Sequence, residues 1–186
     1  MLAKSTLRKL MLSKRNLLAN QLEGQYLLNH IPALLNYLNG VINLNIAGYV
    51  PIGSEFNILP LLIQLEKIGF AISLPAIIGK QDMVFRQYRV ANGCNKLTAM
   101  KFGTLGPDES YLTVSPDVIL LPLLACDNKG NRLGYGKGFY DRYITKDNSS
   151  FLIGVGYDFQ LVEYVPAEET DARISAMLTP KEFLVF

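Results

Sequence analysis

Residues 130–142, which read GNRLGYGKGFYDR, form the segment of the sequence best suited to chemistry. Three glycines alternate within it: Gly134, Gly136 and Gly138. Glycines at this spacing let the backbone approach a ligand closely and turn its amides toward an anion. Three cations in the same segment suit phosphate oxygens: Arg132, Lys137 and Arg142. The segment matches neither GxxxxGK followed by Ser or Thr nor GxGxxG, so glycine spacing alone leaves a phosphate cradle and a flexible surface loop equally open.

The first twenty residues carry five cations and no acidic residue. Apolar residues recur there at helical spacing, which predicts a helix over residues 3–18. Lys4 and Arg8 lie four residues apart and share one face of that helix, with Arg15 close to the same face. Three interpretations fit this pattern: a basic face solvated by water, a helix that binds phosphate, and a mitochondrial transit peptide, which is basic, amphipathic and poor in acids.

Histidine and cysteine offer little to a catalytic site in this chain. The single histidine, His30, has no partner histidine or cysteine nearby, so a surface or helix-end residue is expected. Cys94 and Cys126 are too few for a disulfide scaffold or a cysteine-rich zinc site, and cytosolic thiols are the simplest interpretation. Chemistry must therefore rely on carboxylates, cationic side chains and backbone amides, with or without a metal.

Length and composition indicate one domain, residues 1–186, large enough to bury its own core. Hydrophobic residues make up 49% of the chain, and the mean hydropathy is slightly positive at +0.19. No stretch approaches the roughly 18 uninterrupted apolar residues of a membrane-spanning helix. The net charge of +2 is too small to indicate nucleic-acid binding by itself. A cytoplasmic protein without a membrane or nucleic-acid partner is therefore expected.

Alternating helices and strands must position these side chains. Helices are predicted over residues 3–18, 21–38, 55–68 and 139–145. Strands are predicted over residues 46–50, 70–74, 83–90, 117–121 and 151–156. The alternation predicts an α/β fold with three layers, α/β/α, around an open, mostly parallel, Rossmann-like central sheet. Ligands bind beyond the carboxyl ends of the strands in such folds, so the loops after Val50, Leu121 and Gly156 should lie near one another.

Taken as one string, the glycine-rich segment carries a more specific signal. The sequence RLGYGKGFYDR, preceded by PDVILLP at residues 116–122 and by Asp127-x-x-Gly130, closely resembles the signature of the 5-formyltetrahydrofolate cyclo-ligase family. The resemblance covers most of the chain in separate blocks that follow the family's order: residues 4–8, 49–55, 83–86 and 160–163, then Pro166 and Asp171.

The resemblance implies that ATP, a reduced folate and Mg²⁺ bind this chain. The residues implied to bind ATP are Lys4, Ser5, Thr6, Leu7, Arg8, Arg132, Leu133, Gly134, Tyr135, Gly136, Lys137, Gly138, Phe139 and Tyr140. Those implied to bind the folate are Val50, Glu55, Tyr88, Tyr135 and Phe139. Asp141 and Asp171 would hold Mg²⁺, and Lys137 and Arg142 would stabilise charge during catalysis. Without the resemblance, Glu55 and the two aspartates are ordinary helix-terminus or loop carboxylates, and Tyr88 is equally a core aromatic.

The implied reaction is the ATP-dependent cyclisation of 5-formyltetrahydrofolate to 5,10-methenyltetrahydrofolate. ATP would phosphorylate the formyl oxygen at N5, and N10 of the same folate would then attack the activated carbon and expel phosphate. Because the folate brings its own nucleophile, the protein has only to align two ligands and stabilise phosphoryl charge. The expected partners are small molecules, and a monomer is the default assembly.

Some positions depart from the family's usual residues: Ile58, Gly106, Phe139, Thr170 and Ser175. These departures keep open a non-catalytic module that binds nucleotide or folate on the same fold. A basic nucleic-acid-binding protein ranks well below it, because the cations are confined to one helix and the ten tyrosines are scattered. The resemblance also disfavours a transit peptide, because its cleavage would remove part of the implied nucleotide site.

Overall fold

The structure is a computed structural model that describes residues 3–41, 43–146, 149–168 and 170–186, without the side chains of residues 21–23. The α-helices in these ranges are α1 (Lys4–Leu18), α2 (Ile31–Tyr37), α3 (Leu59–Ile68) and α4 (Phe139–Lys146). Short 3₁₀ helices span Gln21–His30, Val90–Asn92, Lys101–Gly103 and Asp158–Gln160. No helix of the described ranges is both long enough and apolar enough to cross a membrane.

Short strands make up the rest of the regular structure. In chain order they are β1 (Asn45–Ala47), β2 (Ala71–Ile78), β3 (Asp82–Gln87), β4 (Thr98–Ala99), β5 (Leu105–Gly106), β6 (Thr113–Val114), β7 (Val118–Pro122), β8 (Ala125–Cys126), β9 (Arg132–Leu133), β10 (Phe151–Val155), β11 (Ala176–Leu178) and β12 (Phe183–Val185). β4 pairs with β5 and β8 with β9 in two small antiparallel ribbons outside the main sheet.

The main sheet has eight strands in the order β12-β11-β10-β7-β1-β2-β3-β6. The run from β11 to β2 is parallel, whereas β12, β3 and β6 join antiparallel at the edges. Val118 and Leu120 of β7 pack with α2 and α3 on one face, while Ile119 and Leu121 pack with α4 on the other. The predicted α/β fold, with a mostly parallel sheet between helices, is confirmed.

Prolines set the beginnings of two helices and correct their predicted bounds. Pro32 lies in the first turn of α2, and the helix predicted over residues 21–38 is instead a 3₁₀ helix followed by α2. Pro60 lies in the first turn of α3, which begins at Leu59 and not at residue 55. Proline favours the first helical turn because it has no N–H to leave unpaired there. Glu55 therefore precedes the helix, and the expectation that it heads a helix is wrong.

The antiparallel edges of the sheet were not predicted. β2 continues through Pro75 to Ile78 and turns back into β3, with Pro75 opposite Phe85. The β1–β2 pairing ends at Ser73, so β2 has lost its parallel neighbour where the proline stands. β11 and β12 are only three residues long each, which is too short for an alternating pattern to be read from sequence.

A buried carboxylate shapes the turn that leads into the glycine-rich segment. Asp127 is 1% exposed, and its carboxylate accepts hydrogen bonds from the amides of Lys129, Asn131 and Val165 and from the Asn131 side chain. Burial raises the pKa of Asp127, but these hydrogen bonds outweigh it and hold the pKa below its usual value. The turn ends at Gly130, where φ is +73° and a Cβ atom would lie 2.2 Å from the Ile174 carbonyl oxygen.

We expect Asp127→Asn to lower the free energy of unfolding at pH 7 by about 2 kcal/mol. The new side-chain amide would place its N–H groups opposite backbone N–H groups that now donate to the carboxylate, and those donors would lose their acceptor. The folded-state pKa is depressed, so this stabilisation is present above the unfolded-state pKa and is lost as pH falls through the folded one. Urea denaturation of both proteins across acidic pH measures the difference, which should shrink as pH falls. Glu109→Gln, which alters an exposed acid, is the matched control, and an equal loss from that variant would contradict the assignment.

Candidate active site

A cavity of about 300 Å³ opens at the carboxyl edge of the parallel strands. Tyr49 and Val50 line it just after β1, and Pro122 lines it at the end of β7. Most of its wall is apolar, and side chains from several elements contribute: Ile52, Pro75, Ile77, Met83, Phe102, Leu105 and Leu133. We call it the apolar cavity. It lies where the parallel sheet predicts a ligand site.

A second, more polar cavity of about 780 Å³ adjoins the first, and we call it the open cavity. Both cavities are lined by the same charged residues and glycines: Lys4, Arg8, Gly136, Gly138, Asp141 and Asp171. The open cavity is otherwise lined by the start of α1, the outer face of α4 and the segment around Glu168. Phosphate-binding chemistry is therefore concentrated at the boundary between an apolar and a polar compartment.

The backbone of the glycine-rich segment lies close to the side chains of Arg8 and Arg142. Gly136 and Gly138 have φ values of +86° and +68°, which side-chain-bearing residues rarely adopt. A Cβ atom on Gly136 would lie 3.0 Å from Cζ of Arg8, and one on Gly138 would lie 2.7 Å from Nη1 of Arg142. Arg8 also donates from Nε to the Gly134 carbonyl at 2.9 Å. The backbone conformation thus favours glycine at both positions, and the lack of a side chain leaves room for the two guanidinium groups.

Lys4 joins the beginning of the chain to its C-terminal part. Its ammonium lies 2.5 Å from Oδ2 of Asp171 and 2.9 Å from Oε1 of Glu168. Burial lowers the pKa of Lys4. The hydrogen bonds to both carboxylates raise that pKa by more in total, so it lies above its usual value. Burial raises the pKa of Asp171, yet the hydrogen bonds from Lys4 and the Glu168 amide leave it below the usual value. Both groups are therefore charged at neutral pH.

Arg132 holds Asp141 in place in the first turn of α4. Nη2 of Arg132 lies 2.5 Å from Oδ1 of Asp141, and the amide of Ala172 donates to the same oxygen at 3.3 Å. Since Ala172 follows Asp171, this contact brings the two predicted metal ligands to the same side of the site. Nε of Arg132 is buried and has no hydrogen-bond partner among the described residues.

The two aspartates fit a magnesium ion that also binds phosphate. Both hydrogen bonds to the Asp141 side chain use Oδ1, and both to Asp171 use Oδ2. One oxygen of each carboxylate is therefore without a hydrogen bond among the described residues. No group of three or more His, Cys, Asp or Glu side chains in those residues could hold a metal by itself. This donor set suits Mg²⁺, which takes one or two carboxylates and completes its shell with phosphate oxygens and water.

Glu55 is a buried carboxylate on the wall of the apolar cavity. It is 3% exposed, and its Oε2 accepts from the Ile52 amide at 2.9 Å. Burial raises the pKa of Glu55 above its usual value, while the Ile52 hydrogen bond and the charge of Arg15 oppose that rise. Its carboxylate can accept hydrogen bonds from a ligand that presents several N–H groups.

Most of the predicted site residues line the apolar cavity. These are Lys4, Arg8, Val50, Glu55, Arg132, Leu133, Gly134, Tyr135, Gly136, Lys137, Gly138, Phe139, Tyr140, Asp141 and Asp171. Ser5 and Arg142 line the open cavity. Thr6 is exposed and lines neither cavity. Leu7 is buried in a small core cluster with Met11 and Leu133, so its side chain secures α1 to the protein and does not face a ligand.

Tyr88 is the one predicted folate residue that lies apart from the cavities. It is buried in the main core cluster, with its ring 5.5 Å from that of Tyr111. Its hydroxyl donates to the Gly93 carbonyl at 2.8 Å. Tyr88 follows β3 and packs as a core aromatic, which is the alternative that the sequence left open beside its implied contact with the folate.

Phe102 is a cavity residue that the sequence analysis missed. It has a left-handed backbone, with φ of +62°, and its side chain is 54% exposed. The ammonium of Lys137 lies 4.8 Å from its ring centroid, and the ring of Phe139 lies 5.8 Å away. A lone phenylalanine between a lysine and a glycine carries no periodic signal, and only the β4–β5 ribbon brings it beside residues 35 positions later.

The sequence did not predict the burial of Arg15. The helical spacing placed it near the face of Lys4 and Arg8 without assigning it a role, and the structure shows it only 1% exposed. Its guanidinium reaches Tyr135 of the glycine-rich segment and Ser54 beside Glu55. Sequence offers no signal for this burial, because an arginine on a basic helix face is ordinarily solvated.

We expect Lys4→Met to raise the pKa of Asp171, because the variant removes the hydrogen bond and the charge that hold the pKa down. Carboxyl ¹³C NMR of aspartate-labelled protein, titrated through acidic pH, follows that resonance. Lys146→Met is the matched control, since Lys146 lowers the pKa of Asp82 on the protein surface. That control should move Asp82 and leave Asp171 unchanged, and an unmoved Asp171 in Lys4→Met would contradict the ion pair.

Comparison with known proteins identifies relatives along nearly the whole chain. A family model described as the 5-formyltetrahydrofolate cyclo-ligase family matches residues 1–180. The 5-formyltetrahydrofolate cyclo-ligase of Mycolicibacterium smegmatis is 32% identical over 198 residues, covering 98% of this chain and 96% of the relative. The 5-formyltetrahydrofolate cyclo-ligase of Mycoplasma genitalium is also 32% identical, over 88% of this chain and 90% of the relative.

Solved structures agree with these sequence relatives. The NMR structure of Aquifex aeolicus 5,10-methenyltetrahydrofolate synthetase matches with a TM-score of 0.80 at 28% identity, covering 99% of this chain and 93% of that one. A 5,10-methenyltetrahydrofolate synthetase from Mycoplasma pneumoniae matches with a TM-score of 0.71 at 24% identity, which supports the fold alone. The family match spans the glycine-rich segment, the basic helix and both aspartates that meet at the cavities, and we conclude that the chain belongs to the 5-formyltetrahydrofolate cyclo-ligase family, as an enzyme of that family.

Proposed function

We propose that this enzyme converts 5-formyltetrahydrofolate to 5,10-methenyltetrahydrofolate with ATP and Mg²⁺, releasing ADP and phosphate through a phosphorylated formyl oxygen. The observation that carries the proposal is the shared boundary of the two cavities. Lys4, Arg8, the glycine-rich backbone and both aspartates line the apolar and the open cavity at once. A phosphoryl group at that boundary can pass from a nucleotide on one side to a folate on the other.

The open cavity suits the nucleotide. Its volume of about 780 Å³ lies within the range of small-molecule sites. Cations line it from two elements, with Lys4 and Arg8 on α1 and Arg142 on α4. The positive-φ glycines Gly136 and Gly138 lie at the same place, where such backbone can direct its amides toward an anion, and α4 begins directly after them at Phe139. Together these groups form an anion site of the kind that binds phosphates.

The apolar cavity suits the folate. Its apolar wall would cover the faces of a flat ring system, with Val50 and Phe139 among the contacts. Glu55 stands on that wall as a buried acceptor, which matches the several N–H donors along one edge of a pterin. A carboxylate gains more from such donors when it is withdrawn from water, because charge-assisted hydrogen bonds strengthen at low dielectric.

The chemistry needs positioning and charge stabilisation more than a protein nucleophile. The formyl oxygen attacks the γ-phosphorus of ATP, the bond from that phosphorus to the ADP oxygen breaks, and the folate becomes an iminium phosphate. N10 then attacks the formyl carbon, loses its proton, and phosphate leaves with the original formyl oxygen. We assign charge stabilisation in both steps to Lys137, which lines the apolar cavity, and to Arg142, which lines the open cavity.

Asp141 and Asp171 are the residues that would hold Mg²⁺, each through the carboxylate oxygen that has no described hydrogen bond. Bound there, the ion supplies a positive charge for the phosphate oxygens of the nucleotide. The chain's own contribution is to hold both carboxylates in place, through Lys4 on Asp171 and Arg132 on Asp141.

We further propose that the chain works as a single domain and as a monomer in the cytoplasm. Both cavities are lined by residues of one chain, so no second copy is needed to complete them. Cys94 and Cys126 are free thiols, as expected in a reducing compartment.

The methenyl product has its own absorbance band, and its growth measures turnover directly. Purified protein mixed with 5-formyltetrahydrofolate should form the chromophore only when ATP and Mg²⁺ are both present. Lys137→Met should lower kcat by about 100-fold, because it removes a cation aimed at charge that develops during phosphoryl transfer. Lys129→Met, which removes an exposed lysine just before the glycine-rich segment, is the matched control and should keep the wild-type rate.

The metal assignment has a separate readout. Asp141→Asn should raise the Mg²⁺ concentration needed for half-maximal rate by about tenfold or more, because it removes one ligand charge. Absence of chromophore from folded wild-type protein that binds ATP or folate would instead support a non-catalytic binding module.

A further inference from the structure

The largest fully buried side chain described in this enzyme is that of an arginine, Arg15. It lies on α1, eleven residues after Lys4 and seven after Arg8, near the same helix face. Lys4 and Arg8 reach the phosphate-binding boundary, whereas Arg15 is enclosed deeper in the protein. Enclosing a guanidinium is unfavourable unless its donors are matched by acceptors, so its partners indicate what it is there to hold.

The guanidinium of Arg15 connects three separate parts of the site. Nη2 donates to the hydroxyl of Tyr135, and the guanidinium carbon lies 5.2 Å from the ring centroid of the same tyrosine. Nε donates to Oγ of Ser54 at 3.2 Å, and Nη1 donates to the Leu123 carbonyl at 3.3 Å. Tyr135 belongs to the glycine-rich segment, Ser54 precedes Glu55, and Leu123 follows β7. The planar guanidinium of Arg15 therefore holds Tyr135 and Ser54, which precedes Glu55, close to the end of β7.

Arg15 also acts on Glu55 through its charge. Four ionisable groups of the described residues act on Glu55 electrostatically: Arg15 on α1, Tyr49 after β1, Tyr135 in the glycine-rich segment and Tyr140 on α4. Burial raises the pKa of each of the three tyrosines, so they are neutral at neutral pH. Arg15 is the cation of these four groups, and its charge favours the ionised form of the buried carboxylate.

We propose that Arg15 is a positioning residue for the cyclo-ligase reaction, which holds Tyr135 and the turn before Glu55 in place at the folate site. This inference rests on the proposed function, because it takes the apolar cavity as the folate site. It assigns to α1 a second task beyond phosphate binding. In this proposal Lys4 and Arg8 of α1 bind the nucleotide, and Arg15 of the same helix positions residues around the folate.

Folate binding without ATP is the property to measure, because it does not depend on turnover. The dissociation constant for 5-formyltetrahydrofolate is determined by equilibrium dialysis from acidic to neutral pH for the wild type and its variants. Arg15→Gln removes the charge, Arg15→Lys keeps the charge but not the fork, and Tyr135→Phe removes only the hydroxyl that Arg15 holds. Lys9→Gln removes an exposed charge from the same helix and is the matched control.

Arg15→Gln should weaken folate binding about tenfold at neutral pH and move the acidic limb of the binding profile to higher pH. The direction follows from Glu55: losing the cation raises its pKa, so the carboxylate is protonated at a higher pH than in the wild type. Arg15→Lys and Tyr135→Phe should weaken binding without moving that limb. Their double variant should weaken binding no more than the worse single variant, because both break the same contact. Lys9→Gln should match the wild type throughout.

A purely structural role for Arg15 would lower thermal stability but leave the acidic limb of Arg15→Gln in place, and that result overturns the proposal. Additive losses from Arg15→Lys and Tyr135→Phe overturn it as well. If Arg15→Gln does not fold, the Arg15→Lys and Tyr135→Phe cycle decides alone. Wild-type protein that binds folate yet forms no methenyl product would refute the proposed reaction and leave this inference to stand on the binding data. Wild-type protein that does not bind folate would refute both.

Discussion

Helix α1 turns its basic face toward the protein, and the site depends on that orientation. Leu7 and Met11 hold the helix against the core, while Lys4, Arg8 and Arg15 make their contacts with distant parts of the chain. An isolated helix with this composition would leave its cations in water, where they are best solvated. Here the acceptors provided by Asp171, the glycine-rich backbone and Tyr135 replace that water. Without the helix, the phosphate-binding boundary would lose two of its cations.

Charged groups at the boundary between the two cavities form ion pairs that use only one oxygen of each carboxylate. Lys4 is matched to Asp171, and Arg132 is matched to Asp141. Each pair uses one carboxylate oxygen and leaves the other without a hydrogen bond among the described residues, where the proposed Mg²⁺ would bind. Such pairing orients the groups before any ligand binds, which would reduce the reorganisation needed during the proposed phosphoryl transfer. The Lys4–Asp171 pair joins α1 to the C-terminal segment, and the Ala172 amide joins that segment to α4 through Asp141.

Backbone conformation limits which residues the glycine-rich segment can contain. At Gly136 and Gly138 the left-handed backbone disfavours a side chain, and guanidinium groups occupy the nearby space. Gly134 has no positive φ, and among the described residues a Cβ there would meet Arg132 at 3.5 Å, an ordinary contact distance. The three alternating glycines therefore differ in their structural roles. Gly136 and Gly138 adopt a left-handed backbone beside Arg8 and Arg142, whereas Gly134 does not. Phe102 adds a residue with a left-handed backbone from a different ribbon, where its ring contacts Lys137 between those glycines.

The sequence alone determined the fold class, the central strands and the family, because each is carried by local pattern. The apolar run of β7, the glycine after α3 and the string from Arg132 to Arg142 are visible without any knowledge of contacts. Only the tertiary structure decided the burial of Arg15, the placement of Phe102 on the cavity wall and the removal of Tyr88 from it. Each of these depends on pairs of residues far apart in the chain. A side chain's solvation and partners are set by what the fold brings beside it, and helical or strand periodicity contains no information about that neighbour.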